Sequence, residues 1–173
     1  MNSSRGNPIR EYGLPPLLGT RSQVLVLGSF PSRMSLAVGR YYANPRNHFW
    51  PIMQNLLVLK GYGIPEWGEG LKAARVAVWD VIASRRYQQG SMDHDIRDEE
   101  LNDIRGFLDM HPTIRCIVLN GGKSAVSFKR ATIDTGLPSN VVVHQVPSSS
   151  PANALYNLGE KIERWKVLLD YCS

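Results

Sequence analysis

Cysteine is almost absent from this 173-residue chain: only Cys116, inside an apolar run, and Cys172 near the carboxyl end. Neither pairing nor metal-ligand spacing is visible, which argues against a disulfide framework and a zinc or iron–sulfur centre and for a reducing compartment. No apolar run approaches the roughly 20 residues that a membrane-spanning helix needs. The opening stretch from Met1 to Pro8 lacks the apolar core of a signal peptide. Nucleophile-elbow spacing is missing as well. Gly121-Gly122-Lys123-Ser124 has the tail of a phosphate-binding P-loop without its first glycine at the required distance, so nucleoside triphosphate hydrolysis is not expected. The dense cationic stripe of a pure nucleic-acid scaffold is also lacking.

What the chain does contain is ordinary for a globular domain: 43% hydrophobic and 20% charged residues. Basic residues outnumber acidic ones by 20 to 15, giving a formal charge of +5 that suits a polyanionic partner. Residues 1–22, with little periodicity, read as an arm held to the core by Leu17 and Leu18, and residues 23–173 as one α/β domain. Four apolar runs read as buried strands: 23–27, 76–82, 114–119 and 141–146. Helices are expected from Asn47 or His48 onward, around Leu101, Ile104 and Leu108 as far as His111-Pro112, from Lys123 to Arg130 with Ala125, Val126 and Phe128 inward, and along Leu158 to Leu169. The Gly61–Gly63 and Gly68–Gly70 clusters and the polar stretch 84–95 read as loops. Strands alternating with helices imply a mostly parallel, four-stranded sheet with helices on both faces, a three-layer sandwich.

That topology carries the functional reading. Loops leaving parallel strands share one edge, where ligands of open α/β sheets bind. Here those loops hold Gly28-Ser29-Phe30, Tyr41-Tyr42, Arg46-Asn47, Asp80, Asn120 and Ser148-Ser149-Ser150 through Asn153. Aromatic faces, amides and positive charge together suit a planar, hydrogen-bonding, phosphate-linked ligand such as a nucleobase. Each residue also has a plainer reading. Asn47 is a favoured helix N-cap, Asp80 is able to cap a helix or accept loop N–H groups, Arg46 is a surface or phosphate contact, and His144 reads as a sheet-face histidine. The stiff Pro147–Pro151 segment is either an ordinary turn or a donor-rich loop against a phosphate backbone.

Three motifs in order, Gly28-Ser-Phe-Pro-Ser32, Tyr42-Ala-Asn-Pro-Arg-Asn-His-Phe-Trp50 and Val146-Pro-Ser-Ser-Ser-Pro-Ala-Asn153, resemble the uracil-DNA glycosylase superfamily. Within it they are most similar to the hypoxanthine-DNA (deoxyinosine) glycosylase branch, with mismatch-specific uracil-DNA glycosylases as near relatives. The resemblance runs from about Gln23 to the last helix. It implies the same four-stranded sandwich, no metal or organic cofactor, and hydrolysis of the N-glycosidic bond of a deaminated base flipped out of DNA. By position, Tyr42 corresponds to the aromatic residue on which the extruded base stacks, and Asn47 to an asparagine used in catalysis. Asp80 falls where relatives read the base edge, and Ser148 to Asn153 form the loop that presses into the duplex. Gly28, Ser29, Phe30, Tyr42 and Asn120 are accordingly expected to bind substrate, Asn47 and Asp80 to be catalytic, and Arg46, Ser148, Ser149, Ser150 and Asn153 to contact DNA. Two departures bear on substrate. Phe30 stands where uracil-specific relatives carry Asn or Asp before the first-motif proline, and Ser148 where other branches carry His or Asn. Both favour hypoxanthine over general uracil excision.

The resulting expectation is a monomeric, cytosolic (bacterial or archaeal) base-excision-repair enzyme acting on double- or single-stranded DNA with deaminated bases, and no membrane partner. Two alternatives stay open: a nucleic-acid-binding module of the same fold that has lost its chemistry, and a hydrolase of free nucleosides or nucleotides.

Overall fold

The computed structural model describes residues 7–87 and 97–172. Its centre is a four-stranded, wholly parallel sheet in the order β3-β2-β6-β7, built from β2 (Val24–Gly28), β3 (Val76–Asp80), β6 (Cys116–Asn120) and β7 (Val142–Val146). Registers run Leu27 against Trp79 and Leu119, and Asn120 against Val146, so the four carboxyl ends lie side by side.

Alternation along β2 explains the three layers. Val24 and Val26 are buried on one face with Phe49, Trp50, Ile52, Met53, Leu71 and Trp165. Leu25 and Leu27 are buried on the other with Ile104, Phe107, Leu108 and Phe128. Helices α2 (Phe49–Leu57), α3 (Ile64–Ala73) and α6 (Leu158–Trp165) supply the first layer; α4 (Ile104–Met110) and α5 (Gly122–Thr132) supply the second. After α6 a 3₁₀ turn, Lys166–Tyr171, brings Leu168 into the core. The expected fold class therefore holds, and among the described residues no helix is long and apolar enough to cross a membrane.

Several local expectations are corrected. The arm contains a strand, β1 (Ile9–Tyr12), in a separate antiparallel sheet of order β1-β4-β5 with β4 (Ile82–Tyr87) and β5 (Arg97–Leu101). The single strand expected over 76–82 breaks at Val81, where the chain turns from β3 into β4. Residues 84–87 of the expected polar loop belong to β4, while 88–95 lie outside the described residues. Leu101 ends β5 rather than starting α4. Charge explains the miss: β5 reads Arg-Asp-Glu-Glu-Leu, and its pairing with β4 carries an ion pair, Arg86–Asp98 at 3.2 Å, rather than apolar alternation.

Gly68 and Gly70 sit inside α3, where their missing side chains admit Leu17 Cδ1 (3.1 Å from the position a Cβ would take) and Leu59 Cδ2 (2.9 Å). Close packing, not chain reversal, is the reason for glycine at both places. Val126 is 65% exposed, because Ser124 and Ser127 occupy the inward face of α5 with Phe128. Ser124 is accommodated there by donating to the Leu27 carbonyl at 2.6 Å. His144 makes a sheet-face contact, its Nε2 lying 3.1 Å from the Tyr171 hydroxyl.

Candidate active site

The first-strand loop holds a short helix that the sequence did not announce, α1 (Arg33–Val38), whose N-cap Ser32 accepts from the Ser35 N–H and whose C-cap Gly39 lies at φ 68°. The helix folds the loop back over the sheet edge. Tyr41 then turns inward, its hydroxyl donating to the Leu14 and Pro15 carbonyls (3.1 and 2.9 Å). Tyr42 follows at φ +52°, a left-handed conformation costing a non-glycine residue roughly 1–2 kcal/mol. This reversal of backbone sends the two adjacent rings to different duties. Both line the cavity, but Tyr41 packs into the core, whereas Tyr42 stacks on Phe49 at 4.0 Å between centroids with 22° between planes.

That cavity, about 570 Å³, lies over the carboxyl ends of the parallel strands. Its lining brings together Gly28, Ser29, Phe30, Tyr42, Asn47, Asp80, Asn120, Ser148, Ser149 and Ser150, from all four strand ends. Arg46 and Asn153 are not in the lining. Arg46 is exposed on the approach to α2, and the Asn153 amide is spent inside its own loop, Nδ2 donating to the Ser148 carbonyl at 3.1 Å. Ser149 is fully buried and ties the loop down rather than presenting itself at the surface.

Asn120 organises the far wall. Its Oδ1 accepts from the Ser149 N–H (2.8 Å), and its Nδ2 donates to Ser149 Oγ (2.9 Å) and to the Tyr42 hydroxyl (3.0 Å). One amide thus fixes both the serine loop and the aromatic ring. Glycine is required at two close approaches. A Cβ at Gly28 would collide with the Asp80 carboxylate and lie 3.0 Å from the Tyr42 hydroxyl; one at Gly121, where φ is +93°, would lie 2.6 Å from Ser148 Cβ.

The Oδ1 of Asn47 accepts from the Phe49 N–H at 2.9 Å, satisfying the first N–H of α2 from one residue ahead of the N-cap position, His48. The amide NH₂, engaged by no described residue, is left as a donor in a residue that lines the cavity. Asp80, the last residue of β3, is 4% exposed and its Oδ2 is buried without a hydrogen-bond partner. Burial raises its pKa to about 7. Phe30 closes the opposite side with the Arg85 guanidinium 4.3 Å from its ring centroid, and Arg85 is itself paired with Glu11 at 3.4 Å. Arg33 and Lys123 add further positive charge to the lining.

Two residues beneath and beside the serine loop are not among those the sequence singled out. Lys161 on α6 is fully buried, donating to the Ser150 carbonyl at 3.4 Å, with no carboxylate partner among the described residues. Burial lowers its pKa, and its proximity together with burial lowers that of His48, whose backbone N–H donates to the Ser149 carbonyl at 2.9 Å. Lys161 falls on the apolar period of α6, three residues after Leu158 and four before Trp165, where its charge rather than its spacing argues against burial. Leu155, further along the same loop, is 78% exposed, an apolar side chain offered to solvent a few residues from the cavity rim.

The family model of the uracil DNA glycosylase superfamily matches residues 15–169. A hypoxanthine DNA glycosylase of Methanosarcina acetivorans is 32% identical over 158 residues, covering 90% of this chain and 96% of that one. Another, of Methanosarcina barkeri, is 30% identical over 118 residues, covering 67% and 74%. Among solved structures, the solution structure of a candidate uracil DNA glycosylase from Methanosarcina acetivorans superimposes with a TM-score of 0.73 at 30% identity, covering 93% of this chain and 99% of that one.

Proposed function

This chain belongs to the uracil DNA glycosylase superfamily, and on that premise we propose that it excises a deaminated base, hypoxanthine first, from DNA. The observation that carries the reading is the cavity itself: one aromatic ring backed by another, three amides, a buried carboxyl and the serine loop gathered from four strand ends, with cations at the lining. A single everted base fits that chemistry, and unstacking it costs a few kcal/mol that stacking and hydrogen bonding inside the cavity offset.

Bond cleavage leaves an oxocarbenium-like sugar and negative charge on the departing base. Tyr42, one face on Phe49, offers the other to the base. Its rigid placement by Asn120 means that little ordering is left for the moment of binding. Asn47, its oxygen already committed to the Phe49 N–H, acts as a donor, toward either the leaving base or the oxygen of the attacking water. Asp80 meets the base edge. Ser148 and Ser150, on the loop that Ser149 anchors, approach the phosphates flanking the everted nucleotide, with Arg46 outside the cavity on the DNA path. Leu155 enters the stack as an apolar wedge in the space the base vacates. The enzyme works as a monomer in the cytosol, and needs no cofactor for these steps.

The test is a panel of labelled duplexes and single strands carrying one inosine, uracil or xanthine, incubated with the protein and then cleaved with alkali at abasic sites. Cleavage at inosine, strongest among the three, is expected. Intact strands throughout, with retained DNA binding, would make the protein a chemically silent binder of the same fold. Hydrolysis of free inosine alone would make it a nucleoside hydrolase.

A further inference from the structure

We propose that Asp80 works as a neutral carboxylic acid that hands its proton to N7 of the departing six-oxo purine. The inference rests on the glycosylase reading above and deepens it at one residue. Asp80 lines the cavity at the end of β3, yet it is nearly sealed from solvent and Oδ2 has no hydrogen-bond partner. An ionised carboxylate wants several donors; a buried one without them is costly, and protonation removes most of that cost. The charged and titratable groups around it do not rescue the anion. Tyr41 and Tyr42 from the loop before α2 are neutral phenols whose pKa values burial pushes far up. Arg85 from β4 is held by Glu11 of β1 and by the Phe30 ring; Lys123 of α5 lines the cavity but makes no salt bridge to Asp80. A pKa raised to about 7 by burial agrees with this packing.

An anionic Asp80 would repel the charge that builds on the base. A protonated one neutralises it. The proton moves from the carboxyl to N7, the C1′–N9 bond breaks with its electron pair entering the purine ring, and the base leaves neutral. Water forms the new C1′–O bond and releases a proton, which restores the acid through solvent. Overall, one water is consumed and one free base and one abasic sugar are produced. Serial use of one carboxyl in this way is general acid catalysis, contributing roughly 10²–10⁴-fold.

The experiment is single-turnover excision from an inosine duplex under saturating protein between pH 5.5 and 9.5, for the wild type and for Asp80→Asn. The wild-type rate is expected to be level at low pH and to fall about tenfold per pH unit above about 7. Asp80→Asn, which keeps the shape and loses the transferable proton, is expected to be on the order of a hundredfold slower at pH 6 and flat with pH, the two curves converging near pH 9. A wild-type profile that is flat or rises with pH overturns the proposal, and needs no variant. So does a falling limb that persists in Asp80→Asn, or a variant as fast as the wild type. No excision from inosine, uracil or xanthine duplexes at any pH would instead defeat the glycosylase reading itself.

Discussion

Asn120 and Ser149 hold each other by two hydrogen bonds, Ser149 N–H to Asn120 Oδ1 at 2.8 Å and Asn120 Nδ2 to Ser149 Oγ at 2.9 Å, and the same Nδ2 reaches the Tyr42 hydroxyl at 3.0 Å. The end of β6 is therefore the joint between the serine loop and the aromatic platform. Asn120→Ala strands a buried serine and frees a tyrosine that sits in a left-handed conformation. The expected cost is about 1–3 kcal/mol in denaturant unfolding, with excision falling further than stability explains. Asn120→Asp, which keeps only the acceptor, is expected to be worse still; equal activity in the three proteins would show that this joint has no part in the site.

Asn47→Ala removes the acceptor of the first N–H of α2 and a donor at once. Loss of that acceptor costs about 1 kcal/mol, measurable as a modest drop in melting temperature. Loss of the donor is expected to slow single-turnover excision on the order of a hundredfold or more, with duplex affinity little changed. Asn47→Ser, whose hydroxyl keeps an acceptor for the Phe49 N–H, separates the two: it should recover stability but not rate.

How far the sequence foretold this arrangement depends on what each residue faces. Runs such as Val24–Leu27 and Ile117–Leu119 are buried on both sides, so strand identity follows from composition, and parallel pairing from the alternation of strands with helices. The gathering of Gly28, Asp80, Asn120 and Ser148 follows from that order. What lies between strands was less legible. Helix α1 has six residues and no wide apolar stripe, and the glycines of α3 look like turn residues until Leu17 and Leu59 are seen against them. Lys161 lies on the apolar period of α6, but its charge masks that signal, and the commitment of the Asn153 amide is visible only in the folded loop.

Lys161 gives a prediction in which stability and function move apart. Its pKa in the folded state lies below the ordinary lysine value because the ammonium is buried. Stability carried by this group therefore rises as pH climbs from the folded-state value toward the unfolded value of about 10.4. Below that window the buried charge is a cost. Lys161→Met removes it, so the melting temperature at pH 7 should hold or rise. Duplex binding should weaken, because the positive field under the Ser150 carbonyl is gone. A melting temperature several degrees lower with binding intact would make Lys161 a packing residue only.

Asp80 leaves a mark on folding independent of catalysis. Its carboxyl has a raised pKa when folded, about 7 against about 3.9 unfolded. The folded state thus binds the proton more tightly, and wild-type stability declines as pH rises from about 4 through about 7. Asp80→Asn should be more stable than wild type at pH 8.5 and lose that advantage near pH 4, as read by thermal unfolding at the two values.

The most direct measurement is a crystal structure of the protein with a duplex carrying a non-hydrolysable deoxyinosine analogue. The hypoxanthine ring should lie in the cavity against the exposed face of Tyr42, its edges within hydrogen-bond reach of Asn47 and Asp80, with Leu155 filling the gap in the stack. A base still paired in the duplex, or one seated away from the carboxyl ends of the four parallel strands, would contradict the account.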